Sequence, residues 1–190
     1  MWLVVASSVS AETETGQFAA YAVGAQTCAT ILEAYQTSNQ PNVLFEVSSW
    51  LSGYISGVNR LSDGTYDVTP VMNHSSLAVL TLRLCENNSD QLFETVVNAL
   101  LGVFEPLRVT EESPGIQVGR DGQVMTLRQA SIRLLQNELV AVGFLDAQSA
   151  DGVVGPKTLG ALLAWQKVNN RAETGTFDPL TILGLLQDQQ

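Results

Sequence analysis

The chain has 190 residues and is 45 % hydrophobic, enough apolar material for one ordinary domain or two small ones, and disorder is not its default state. Nineteen acidic residues oppose nine basic ones and the pI is about 4.3, so a nucleic-acid backbone would be repelled rather than collected.

The first residues run Trp2-Leu3-Val4-Val5-Ala6 and then Ser7-Ser8-Val9-Ser10-Ala11, which reads as the tail of a secretory signal with small residues at the cleavage positions Val9 and Ala11. Cleavage is expected after Ala11, and residues 1–16 are expected to be a signal remnant with a disordered start. The apolar run is short for such a signal and no basic segment stands ahead of it. No other stretch approaches the ~18 uninterrupted apolar residues of a membrane span. A periplasmic or secreted location is the expectation.

From Gln17 to about Gln36, Phe18, Ala22, Ala25, Ala29 and Leu32 recur at spacings of three and four, which predicts helix one. A polar break at residues 37–41 ends in Pro41, suited to a first helical turn. Val43, Phe45, Val47, Trp50, Leu51, Tyr54, Ile55 and Val58 then give helix two a broad apolar face, ending before Ser62-Asp63-Gly64. Asn73 is placed to cap a third helix with Leu77, Leu80, Leu84 and Cys85, and Ser89 a fourth with Leu92, Val96, Leu100 and Phe104. The expectation is an all-α chain whose first part, residues 17–104, is a four-helix bundle.

Cys28 and Cys85 fall on the first and third of these helices. In an oxidising compartment a bridge between them, 57 residues apart, would stabilise by roughly 4 kcal/mol through loop-closure entropy. Two buried free thiols are the alternative. Neither cysteine has a CxxC spacing or a neighbouring histidine that would point to redox or metal chemistry.

Residues 105–123 hold two prolines, three glycines and several charges without apolar periodicity, and read as an interdomain linker. Charge shifts across it. Met1 to Leu107 holds ten carboxylates against Arg60 and Arg83, a sum of −8, while Val124 onward holds six acidic and five basic residues, a sum of −1. Two modules explain the shift, as does a merely solvated acidic face. In the second module, residues 124–190, helix five is expected from Thr126 to Val142, helix six from Pro156 to Val168 and helix seven from Asp178 to Leu186.

Between Arg133 and Leu186 an ordered set of marks appears. Gln136 precedes Leu139 and Gly143; then come Asp151-Gly152-Val153-Val154-Gly155-Pro156-Lys157-Thr158, the pair Trp165-Gln166, the turn Thr174-Gly175, and Asp178 with Thr181 and a closing leucine pair. This set resembles the small three-helix peptidoglycan-binding domain attached to many bacterial wall hydrolases. The resemblance implies a wall ligand and the motif positions Gln136, Gly143, Asp151, Gly152, Gly155, Pro156, Thr158, Trp165, Gln166, Gly175 and Asp178. Each also has a structural reading. Gly152, Gly155 and Gly175 suit turns, Asp151 suits backbone amides of its own loop, and Trp165 falls at core spacing with Leu162 and Val168, with sugar stacking as the alternative. The stretch Leu145 to Ala150 is slightly long and polar for the family, which affects the expected groove.

Around Cys28, Ser49-Trp50-Leu51-Ser52-Gly53-Tyr54 and Cys85, the first module is similar to periplasmic acid-stress chaperones of the HdeA type and to immunity proteins of type VI secretion. The resemblance implies a disulfide-linked helical bundle. Only Arg60, Arg83 and His74 could carry positive charge there at low pH, which counts against an acid-activated chaperone.

Wall hydrolysis would need two carboxylates about 5 to 9.5 Å apart or a multi-histidine metal site. The chain's one histidine, His74, excludes the latter and reads as a cap-region residue, and Glu33, Glu46 and Glu94 read as solvated. The expectation is a non-catalytic protein, without cofactor or metal, that binds peptidoglycan and offers its bundle to a protein partner. A wall-localised chaperone or inhibitor and a hydrolase of unrecognised type are the rival readings.

Overall fold

A computed structural model describes residues 18–120 and 123–187. The expected export signal lies outside the described residues. The first half places α1 at Cys28–Thr37, α2 at Gln40–Leu61, α3 at His74–Cys85 and α4 at Phe93–Phe104.

The start of α1 differs from expectation. Residues 22–25 form a single 3-10 turn, and the chain enters α1 only at Cys28, where Thr27 Oγ1 accepts the Thr30 amide at 3.3 Å. The preceding amides and carbonyls are taken elsewhere. Cys28 N donates to Gln91 O at 2.9 Å and Phe93 N to Gln26 O at 2.9 Å, so an extended segment pairs with the approach to α4. Gly24 lies against the Trp50 indole with no room for a side chain. Backbone pairing and the bulk of Trp50 therefore override the alanine-rich helical periodicity.

The expected bridge is present. Cys28 and Cys85 are disulfide-bonded with Cα atoms 5.0 Å apart, both wholly buried, and they tie α1 to the end of α3. Asn73 stands at the N-cap of α3 but spends its side chain otherwise: Oδ1 accepts the Thr126 amide at 3.1 Å, and Nδ2 donates to Ser76. Ser89 likewise does not cap α4, which starts at Phe93 after Leu92.

The chain is mostly helical but not all-α. Strand β1 (Gly115–Arg120) pairs antiparallel with β2 (Gln123–Arg128), Ile116 opposite Leu127 and Val118 opposite Met125. Val118, Met125 and Leu127 are buried, so this hairpin rests on the core. Thr126, where helix five is expected to begin, is a strand residue, and α5 begins at Gln129. One cycle of apolar alternation between glycines and a proline was too short to separate a strand from a loop by pattern. The described residues ahead of β1 are tied to the fold too. Residues 105–107 form a 3-10 turn that buries Leu107, and Val109 pairs with Asp67.

The chain closes with α5 (Gln129–Ala141), α6 (Pro156–Val168) and α7 (Pro179–Gln187). Buried side chains form one continuous cluster from Val23 to Leu186. Its two ends meet where α7 packs on α3 and α4, and where Val71 bridges to Leu127. Beside that bridge the Arg128 guanidinium meets the buried Asp67 carboxylate at 2.8 Å and lies over the Tyr66 ring. Among the described residues no helix is long and apolar enough to cross a membrane.

Candidate functional site

The motif residues of the C-terminal part gather into two loops, each hung on a buried glutamine. Gln136 projects from α5 and is fully buried. Its Oε1 accepts the Gly152 amide at 2.7 Å, and its Nε2 donates to Thr158 Oγ1 and to the Val153 carbonyl, both at 2.9 Å. Asp151 closes the loop from within, Oδ1 accepting the Val153 amide at 2.8 Å. Gly152 turns the backbone at φ 81°, and Gly155 then caps α6, whose first turn holds Pro156. Every polar atom of the glutamine is used, which offsets the cost of burying an amide.

The second loop repeats the device. Gln166, on α6 and fully buried, accepts the Gly175 amide at 2.8 Å and donates to Thr174 Oγ1 and Thr181 Oγ1, each at 2.8 Å. Gly175 has φ 63°. Asp178 Oδ1 caps α7 by accepting the Leu180 and Thr181 amides at 3.1 and 3.0 Å, and Oδ2 accepts from both threonine hydroxyls. Gly152, Pro156 and Thr158 thus correspond in spacing and role to Gly175, Pro179 and Thr181. That correspondence is readable in the sequence once the second loop is set beneath the first, and it brings Thr174 and Thr181 into the set.

Trp165 is 1 % exposed and so offers no open face to a ligand. Its ring carries the Arg171 guanidinium 5.2 Å above the centroid, and Arg171 Nη1 donates to the Leu180 carbonyl at 3.3 Å. Gly143 stands just past α5, with φ 82°. These residues build the frame; the open surfaces lie beside the loops. A groove of about 740 Å³ runs between the second loop, the hairpin and α3, and is lined by Thr176, Leu180 and Arg171 on one side and Val79 and Arg83 on the other. A smaller groove of about 470 Å³ lies beside the first loop, between Asp151, Arg133 and residues 108–114.

In the first half, His74 Nδ1 lies 2.6 Å from Ser52 Oγ, a partner that sequence reasoning missed. The Ser52 hydroxyl donates to the Ser48 carbonyl at 2.8 Å, so its oxygen accepts from the imidazole and its proton is already committed. The pair joins α2 to the start of α3. Burial lowers the His74 pKa from its ordinary value, and the charge of Asp67 opposes that shift. Tyr54 donates to Glu94 at 2.6 Å, and burial, with that bond and charge, pushes its phenol far above the usual range. Among the described residues no three His, Cys, Asp or Glu side chains are placed to hold a metal ion.

Residues 128–183, less than a third of the chain, match the family model described as "Putative peptidoglycan binding domain". That span begins at the end of β2 and includes both glutamine-hung loops. No curated protein matches the chain, and no solved structure matches it.

Proposed function

We propose that this is an exported, non-catalytic protein that attaches to the bacterial wall through residues 124–190 and presents the helical bundle of residues 17–104 to a protein partner, with residues 105–123 joining the two. One observation carries the reading: the segment that matches a peptidoglycan-binding family is the segment in which both buried glutamines fix a loop. Such loops are rigid and bring preformed surface to a ligand, which lowers the ordering cost of binding. The disulfide agrees with an extracytoplasmic location, because such bonds persist in oxidising compartments. On the bundle, Tyr21 and Phe45 are 77 % and 73 % exposed, large apolar side chains open to a partner.

The test is co-sedimentation of the intact protein with purified, insoluble peptidoglycan, paired with an assay for released soluble fragments. The protein is expected in the pellet, with no fragments released. A protein that stays in the supernatant overturns the wall-binding reading, and release of fragments overturns the non-catalytic one.

A further inference from the structure

The larger groove is built by both halves of the chain, and its charge differs in sign from that of the molecule. The protein carries a net charge of −10, yet the charged residues lining this groove are Arg83, Arg171 and Asp178. Asp178 is committed, since both of its carboxylate oxygens are taken by the cap of α7 and by Thr174 and Thr181. The two arginines differ. Arg171 is held in place by Trp165 and the Leu180 carbonyl, and its guanidinium packs against Gly184 so closely that no side chain would fit there. Arg83, in the last turn of α3, is exposed, and its guanidinium has no hydrogen bond or ion pair among the described residues. Between them Val79, Val124 and Leu180, each 39 to 49 % exposed, give the groove an apolar floor.

An open groove with two cations, no free anion and small apolar surface suits a ligand that combines carboxylates with short aliphatic side chains. In peptidoglycan the peptide stems have that chemistry, while the glycan strands are neutral amino sugars apart from the lactyl group through which the stem is attached. We propose that this groove binds the peptide stem of peptidoglycan, with Arg83 and Arg171 pairing with its carboxylates and Val79, Val124 and Leu180 packing against its methyl groups. Arginine suits the role because its planar fork meets a carboxylate with two parallel N–H donors. The inference rests on the wall-binding reading and deepens it: α3, from outside the segment that matches the family, supplies one wall of the site.

The experiment uses the intact protein, its Arg83→Gln and Val79→Asp variants, and two pellets: insoluble intact peptidoglycan, and glycan strands stripped of stems by an amidase, which dissolves the network, and then coupled through their reducing ends to sedimentable beads. Arg83 and Val79 are exposed on α3, so both variants should fold as the parent does, checked by circular dichroism and by the thermal midpoint. Retention of the parent on stripped glycan should fall by about tenfold or more. Arg83→Gln should lose about three- to tenfold in affinity for intact peptidoglycan, the range expected for one partly solvated charge-assisted contact, and Val79→Asp should lose at least as much. Equal binding of the parent to both pellets, or unchanged binding of both variants to intact peptidoglycan, overturns the stem assignment while leaving wall binding in place. No binding of the parent to either pellet removes the wall-binding reading itself and this inference with it.

Discussion

A buried primary amide is destabilising unless each N–H and lone pair finds a partner, and Gln136 and Gln166 each find three or more. Their positions were legible in the sequence as ordered motif marks, but their partners were not, because a backbone amide sixteen or nine residues away leaves no local pattern. His74 was legible only as a helix-start residue. Its bond to Ser52 crosses from α2 to α3, and no spacing rule foretells it. Burial lowers the folded-state pKa of His74, so between that value and its ordinary 6.5 the unfolded chain binds more protons than the folded one. Stability is therefore full above pH 6.5 and falls as the pH drops from there through the folded-state value. Urea midpoints measured from about pH 7.5 down to about pH 5 should decline in this window. The decline should be shallower in His74→Asn, whose amide keeps a donor near Ser52 without a titrating proton. Superimposable profiles for parent and variant would remove the titration of His74 as a cause.

At the scale of elements, α6 was predicted to its end residues, because Gly155 and Pro156 fix its start and its apolar face runs unbroken to Val168. The start of α1 and the hairpin were misread for different reasons. At α1 long-range backbone pairing of residues 26–28 with 91–93 overrides local propensity, whereas the hairpin pairs 115–120 with the adjacent 123–128, and its apolar alternation is too short to stand out from a loop. The two glutamine-hung loops depend instead on local geometry that only glycine adopts easily. Gly152 and Gly175 have φ of 81° and 63°, so alanine at either position should cost about 1–2 kcal/mol. Gly152→Ala should be the worse of the two, because a β-carbon there meets the Gln129 backbone carbonyl at 3.1 Å, whereas at Gly175 it meets the movable Leu163 side chain. Gly160, within α6 and facing open space, is the control: alanine there should be neutral or stabilise by up to about 1 kcal/mol. Chemical denaturation of the three variants checks the order, and equal effects at all three positions would contradict it.

Across the whole molecule, the charge shift and the proline- and glycine-bearing stretch near residue 110 suggest two modules with little mechanical coupling, an expectation the packing does not favour. Leu107, Val109 and β1 fill the space between the halves, the buried core is continuous, and breaking the Asp67–Arg128 pair by removing one partner would strand a buried charge at a cost of about 3–5 kcal/mol. That pairing was not legible, because Arg128 lies 61 residues from Asp67 and neither stands in a motif. Heating should therefore give one cooperative transition rather than two, and reducing Cys28–Cys85 should lower the midpoint of that single transition, although the bond lies wholly within the first half. A calorimetric trace with two separate peaks, of which reductant moves only one, would show the halves to be independent. The central claim, that the C-terminal loops form a wall-binding surface, is tested most directly by hydrogen–deuterium exchange of the intact protein with and without soluble peptidoglycan fragments. Exchange should slow in residues 171–181 and in the last turn of α3; protection confined to α1, α2 and α4, or none at saturating fragment, would rule this surface out.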